Sequence, residues 1–179
     1  MKVCILSDSH DHIPLLDAAV EEAKGLGAEA VLHCGDVVAP SSLQCLIRHG
    51  LPIHVIHGNN TGDLYSLGQL ASRPDSNIHY HGMDAGLELA GRKIFLVHYP
   101  HYARALAATG DWDLICCGHS HKFKVEELDN LRGGKTPLVN PGTIGGVGRA
   151  PATYVIGDLD EMTFEMHEID KSVEREAGY

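Results

Sequence analysis

Apolar positions along the chain follow two alternating periods. Residues 2–7 form a short apolar run, which predicts a buried strand, and the run stops at Ser7-Asp8-Ser9-His10-Asp11. Ile13, Leu16, Val20 and Ala23 then recur at helical spacing, with Gly25 and Gly27 as stop signals. The cycle repeats. Residues 30–33 predict a second strand closed by Gly35-Asp36, and residues 40–49 a helix ending at Gly50. Residues 52–57 predict a third strand closed by Gly58-Asn59-Asn60, and residues 64–71 a short helix. Repeated strand–loop–helix units predict an α/β fold built on a parallel sheet with crossover helices. Such sheets bind ligands beyond the carboxyl ends of their strands. All three predicted strands finish in Asp, His or Asn there.

The second half is richer in strands. Residues 86–89 and 93–97 flank Ala90-Gly91-Arg92, a hairpin turn, and the second of these runs leads into His98. Residues 101–108 look helical. The apolar run Leu114-Ile115-Cys116-Cys117 stops at Gly118, and His119 and His121 follow with Ser120 between them. Further strands are predicted over 122–128, 137–139, 153–159 and 163–169. These predict a second, mainly antiparallel sheet packed on the first. No linker interrupts the pattern, so residues 1–169 read as one domain and residues 170–179 as a charged, frayed tail.

Composition narrows the partners. The chain has 179 residues, 44% hydrophobic and 21% charged, with a formal net charge of -10. That charge disfavours a nucleic-acid polymer or an anionic membrane as partner, since both call for a basic face. A small phosphoester stays compatible with it where bound cations reverse the local sign. No apolar run is long enough to span a bilayer, and the apolar start before Asp8 is too short for a signal-peptide core. Five cysteines, at 4, 34, 45, 116 and 117, include no Cys-x-x-Cys pair. They read as small core residues of a reduced, cytoplasmic protein without disulfides.

The candidate chemistry gathers at strand ends. Asp8, His10, Asp36, Asn59, His98, His119 and His121 each lie at or just past one. All carry oxygen or nitrogen donors that suit divalent manganese, iron, zinc or nickel, with magnesium a further option. Asp36 suits the role of an anionic bridge between two ions, and Asn59 offers a neutral carbonyl oxygen. One Asp-x-His, or a lone His98, is weak evidence, because polar loop residues and structural histidines are common. The conjunction of five such segments is what points to a metal site. Cys34 reads as a core residue and His33 as a structural partner. Tyr99, Pro100 and Tyr102 form either a wall beside the metals or plain packing. Thr143 and Gly145-Gly146-Val147-Gly148-Arg149 offer either backbone N–H groups for phosphate or a flexible connection. Histidines 49, 54, 79, 81 and 167 match no motif and read as surface or structural.

On these residues the chain resembles the calcineurin-like metallophosphoesterases. Their pattern is Asp-x-His, Gly-Asp, Gly-Asn, a lone His and Gly-His-x-His, and it matches Asp8/His10, Gly35-Asp36, Gly58-Asn59, His98 and Gly118-His119-Ser120-His121. The size and the stretch Asn140-Pro141-Gly142-Thr143 are most similar to the small YfcE-like phosphodiesterases. The resemblance implies a two-layer β sandwich flanked by helices, a four-layer αββα arrangement. It implies two divalent ions, Mn²⁺ above all. One would be held by Asp8, His10, Asp36 and His121, the other by Asp36, Asn59, His98 and His119, with a bridging water or hydroxide as nucleophile. The implied activity is hydrolysis of a small phosphodiester, with homodimers or homotetramers known among relatives. Phosphomonoesterase, dinucleoside-polyphosphate hydrolase and a non-catalytic scaffold like the retromer subunit are the alternatives. Asp36, Asn59 and Asn60 are the residues placed nearest the chemistry. Asn60 departs from the pattern. Many relatives have His there to protonate the leaving oxygen, and an amide cannot do so. His57 and His101 are the candidates to replace that acid.

Overall fold

The computed structural model describes residues 1–173. Its first strand, β1 (Lys2–Leu6), runs through the middle of the molecule. Alternation along a strand sends successive side chains to opposite faces. Val3 and Ile5 therefore enter one core and Cys4 and Leu6 another, all fully buried. The helix α1 (Ile13–Gly25) starts with Pro14 in its first turn, where a missing N–H costs nothing. It buries Leu15, Leu16, Ala19, Val20 and Ala23 on one face.

The chain continues through β2 (Ala28–His33), α2 (Pro40–Gln44), β3 (Ile53–Val55), α3 (Leu64–Ala71) and β4 (Ile78–Tyr80). It then forms β5 (Asp84–Leu89), β6 (Arg92–Val97), α4 (Pro100–Thr109), β7 (Leu114–Cys116), β8 (Phe123–Asp129) and β9 (Lys135–Pro141). The last strands are β10 (Ala152–Asp158) and β11 (Thr163–Ile169). Six strands form one sheet in the order β11-β10-β1-β2-β3-β4, and five form the other in the order β5-β6-β7-β9-β8. Val3, Ile5, Leu32 and Ile56 of the first sheet meet Ile94, Leu96, Leu114 and Cys116 of the second between the layers. Helices α1 to α3 cover the outer face of the six-stranded sheet, and α4 covers the other sheet through Ala103 and Ala107. This is the expected β sandwich flanked by helices.

Three expectations change. First, the second sheet is mixed rather than mainly antiparallel: β6, β7 and β9 run parallel. Second, β10 and β11 belong to the first sheet, where β10 pairs antiparallel with β1. The reason lies in β10, where residues 152–157 are all buried. A strand covered on both faces belongs in the interior of a sheet. Third, residues 45–49 of the expected long helix form a 3-10 turn after α2. Of the expected tail, residues 174–179 lie outside the described residues.

Candidate metal centre

Four loops that follow β1, β2, β6 and β7 meet at one end of the sandwich, joined there by the loop after β3. Their backbones are laced together. The Asp8 N–H donates to Gly35 O at 2.9 Å, the His10 N–H to Asp36 O at 3.0 Å, and the Gly118 N–H to His98 O at 3.0 Å. Asp8, His10, Asp36, His119 and His121 all have positive φ, between 44° and 67°. That conformation costs a non-glycine residue about 1–2 kcal/mol, and such outliers concentrate at functional sites. Glycines make the approach close enough. A Cβ on Gly58 would lie 2.1 Å from Asp36 Oδ1, and one on Gly118 would lie 1.9 Å from Ser7 Oγ and 2.6 Å from Asp8 Oδ2.

All seven sequence-derived ligands are brought together. On one side, His10 Nε2 and His121 Nε2 are 3.2 Å apart. Asp8 Oδ1 is 3.3 Å from His121 Nε2, and Asp36 Oδ2 is 3.8 Å from His10 Nε2. On the other side, Asp36 Oδ1 is 3.4 Å from His98 Nε2. Asn59 Oδ1 lies 3.0 Å from His98 Nε2 and 2.8 Å from His119 Nδ1. The two oxygens of Asp36 therefore face the two groups of imidazoles, the position of a bridge.

The arrangement fits a cation. His98 Nδ1 lies 2.8 Å from the carbonyl oxygen of Cys34, which can only accept. The neutral ring must carry its proton there, so Nε2 offers a lone pair to the centre. Nε2 then faces Asn59 Oδ1 and Asp36 Oδ1, two further acceptors. Asp8 is fully buried, and its Oδ1 has no hydrogen-bond partner among the described residues. A buried polar atom without a partner is costly. Divalent ions between these acceptors would satisfy all of them. Two groups, Asp8/His10/His121 and Asp8/Asp36/His98, have one ligand atom per residue within 4.8 Å of one another.

Supporting residues were less legible. His33 is fully buried; its Nδ1 accepts from the Gly35 N–H at 3.2 Å, so its Nε2 donates to Ser9 Oγ at 3.0 Å. Burial, then the nearby His98, push its pKa down to about 3. Asn140 donates to Gly118 O at 2.7 Å and to Ser120 Oγ at 3.1 Å, holding the turn that carries His119 and His121. Thr143 Oγ1 donates to Asp8 O at 2.7 Å. Gly145 packs on the backbone of Ser9 and is buried, while Arg149 is exposed. The segment thus braces the first ligand loop from beneath, a role that apolar spacing gives no hint of. Cys34 is a buried core thiol, as expected, with its pKa raised by burial.

Asn60 turns toward Asp36. Its N–H donates to Asp36 Oδ1 at 2.8 Å and its side-chain Nδ2 to Asp36 Oδ2 at 2.6 Å. His57 contacts Tyr80 OH at 2.6 Å, and His101 is exposed beside Tyr102 with ring centroids 4.2 Å apart. Beside the centre, Gly58, Met83, Tyr99 and Tyr102 line a pocket that also includes His57 and His98.

Comparison with known proteins agrees with this geometry. The model of the calcineurin-like phosphoesterase superfamily domain matches residues 1–162. A phosphodiesterase of Methanocaldococcus jannaschii is 31% identical, over 94% of this chain and 98% of its own length. Among solved structures, an archaeal phosphodiesterase superposes with a TM-score of 0.84 at 26% identity, over 94% of this chain and all of the other. YfcE, a phosphoesterase from E. coli, is similar in fold, with a TM-score of 0.63 at 18% identity, over 95% of this chain and all of its own. So is Vps29 from Entamoeba histolytica complexed with zinc, with a TM-score of 0.61 at 18% identity, over 95% of this chain and 99% of its own. The chain belongs to the calcineurin-like phosphoesterase superfamily and is a hydrolase of phosphoesters.

Proposed function

We propose that the protein is a metal-dependent phosphodiesterase that hydrolyses small phosphate diesters at a dinuclear centre, with Mn²⁺ as the favoured ion. The observation that carries this reading is the convergence of His98 Nε2, Asn59 Oδ1 and the carboxylates of Asp8 and Asp36 on one place, with His98 Nδ1 turned away to the Cys34 carbonyl. A donor set of carboxylate, amide oxygen and imidazole suits manganese, iron, zinc or nickel. When bound, two such ions offset phosphoryl charge and lower the pKa of a coordinated water from about 15.7 to roughly 7, which makes a nucleophile available at neutral pH.

The chain's own residues do the rest. Asp8, His10, Asp36 and His121 would hold one ion, and Asp36, Asn59, His98 and His119 the other. Cys34 O fixes the His98 ring so that Nε2 faces inward. Asn60 orients Asp36 through both oxygens, which leaves the bridge one rotamer. Met83, Tyr99 and Tyr102 offer an apolar and aromatic wall to the leaving group. No group at position 60 protonates that leaving group, so esters with good leaving groups are the preferred substrates.

The test is hydrolysis of bis-p-nitrophenyl phosphate beside the monoester p-nitrophenyl phosphate, by metal-stripped protein reloaded with manganese. Diester turnover above monoester turnover is expected. Monoester preference would make the protein a phosphatase. No turnover of either, with both ions verified bound, would point to a scaffold.

A further inference from the structure

Away from the centre, the free edge of the six-stranded sheet carries three histidines that the phosphoesterase reading does not use. His79 on β4 and His81 one residue past its end, where the His81 N–H still donates to Val55 O, alternate along the chain, so both project from the same face. His54 on β3 is the direct cross-strand partner of His79. Its ring lies between the other two, with centroids 4.9 Å from His79 at 17° and 5.3 Å from His81 at 12°. His54 Nδ1 and His81 Nε2 are 3.0 Å apart. His79 and His81 are exposed and His54 is half-buried, so the cluster opens to solvent. Among the described residues β4 has no strand on its outer side.

From this juxtaposition we infer that His54, His79 and His81 form a second metal site, for one borderline-soft divalent ion such as Zn²⁺, separate from the phosphoesterase centre. Two ligand nitrogens on a tetrahedral zinc ion, each at about 2.0–2.1 Å, stand about 3.3 Å apart. The His54–His81 pair is already close to that spacing. Two histidines at alternate positions and a third on the neighbouring strand set three imidazoles side by side, from which side-chain rotation would turn three nitrogens to one ion and leave its fourth position open to water. The near-coplanar His54 and His81 rings now share one N–H between two nitrogens. Turning their side chains outward would aim both lone pairs at a common ion and bring His79 into reach. Imidazole alone, without carboxylate, selects zinc, nickel or copper over manganese and magnesium.

The probe is Zn²⁺ itself, added to the metal-stripped full chain and counted per chain after gel filtration. The triple variant His54→Gln/His79→Gln/His81→Gln is expected to hold one ion fewer than the wild type and to keep its manganese-supported diester hydrolysis. That difference of one is independent of how many ions the phosphoesterase centre holds, so the two readings fail separately. Should the triple variant fold poorly, His79→Gln alone, at an exposed position, is expected to weaken one class of zinc site at least about tenfold, since even outer-shell changes cost 10–100-fold. Equal zinc stoichiometry and affinity in the wild type and in whichever variant folds would overturn the site.

Discussion

Asn60 shows how one residue can change role within a conserved-looking geometry. Its two bonds to Asp36 make it a brace for that carboxylate rather than an acid. General acid catalysis is typically worth about 10²–10⁴-fold, and that gain falls mainly on poor leaving groups. Asn60→His is therefore expected to raise turnover of alkyl esters relative to nitrophenyl esters, read as the ratio of their kcat/KM values. An unchanged ratio would mean that position 60 lies outside reach of the leaving oxygen. Gly58 offers a second residue-scale test. Its missing Cβ leaves room for Asp36 Oδ1, which would otherwise be 2.1 Å away. Overpacking of this kind costs about 1–3 kcal/mol, and in a chain of this size each kcal/mol moves Tm by about 2–4 °C. Gly58→Ala is expected to melt about 2–12 °C lower and to bind metal more weakly, measured by calorimetry and metal analysis. At this scale the meeting of the seven candidate ligands was legible because each follows a predicted strand. The bracing roles of Asn140 and Thr143 were not, although both residues stood out, because hydrogen bonding to backbone leaves no periodicity in a sequence.

Among the elements, β1, α1 and β2 were readable from spacing alone. The strand β4 was missed: its three residues bury only Ile78 fully, too short a pattern to register. The placement of β10 was misjudged because an apolar run shows that a strand is buried but not which sheet takes it. Its position beside β1 follows from the backbone pairing Lys2 to Asp158 and onward. The end of β2 carries a prediction of its own. His33 bridges β2 to the first ligand loop through Ser9 and is held neutral, with its pKa near 3 against an ordinary 6.5. Between those two values the unfolded chain binds a proton that the folded one refuses. The contribution of His33 to stability is thus complete above pH 6.5 and declines as pH falls toward 3. Acid unfolding of the wild type should steepen through that window. In His33→Gln, which keeps a polar side chain without a titrating ring, that part of the slope should vanish in chemical-denaturation curves taken across pH.

Across the whole molecule, two sheets with different strand directions deliver their loops to one end, and the strain of left-handed residues, five of the candidate ligands among them, is stored there. No helix among the described residues is long and apolar enough to cross a membrane. An ion that binds only the folded state stabilises it by mass action, by about 2.7 kcal/mol at a concentration 100 times its Kd. Metal stripping is accordingly expected to lower Tm by about 5–10 °C, given the same conversion of stability to temperature. An unchanged melt after verified removal would count against the centre as a folded-state metal site. The most direct measurement is a titration of stripped protein with Mn²⁺, following hydrolysis of bis-p-nitrophenyl phosphate against ions bound per chain. A dinuclear centre built on Asp36 predicts that activity rises to a plateau at two ions, and that Asp36→Asn abolishes both the tight binding and the turnover. Full activity in stripped protein, or a plateau at one ion, would contradict it.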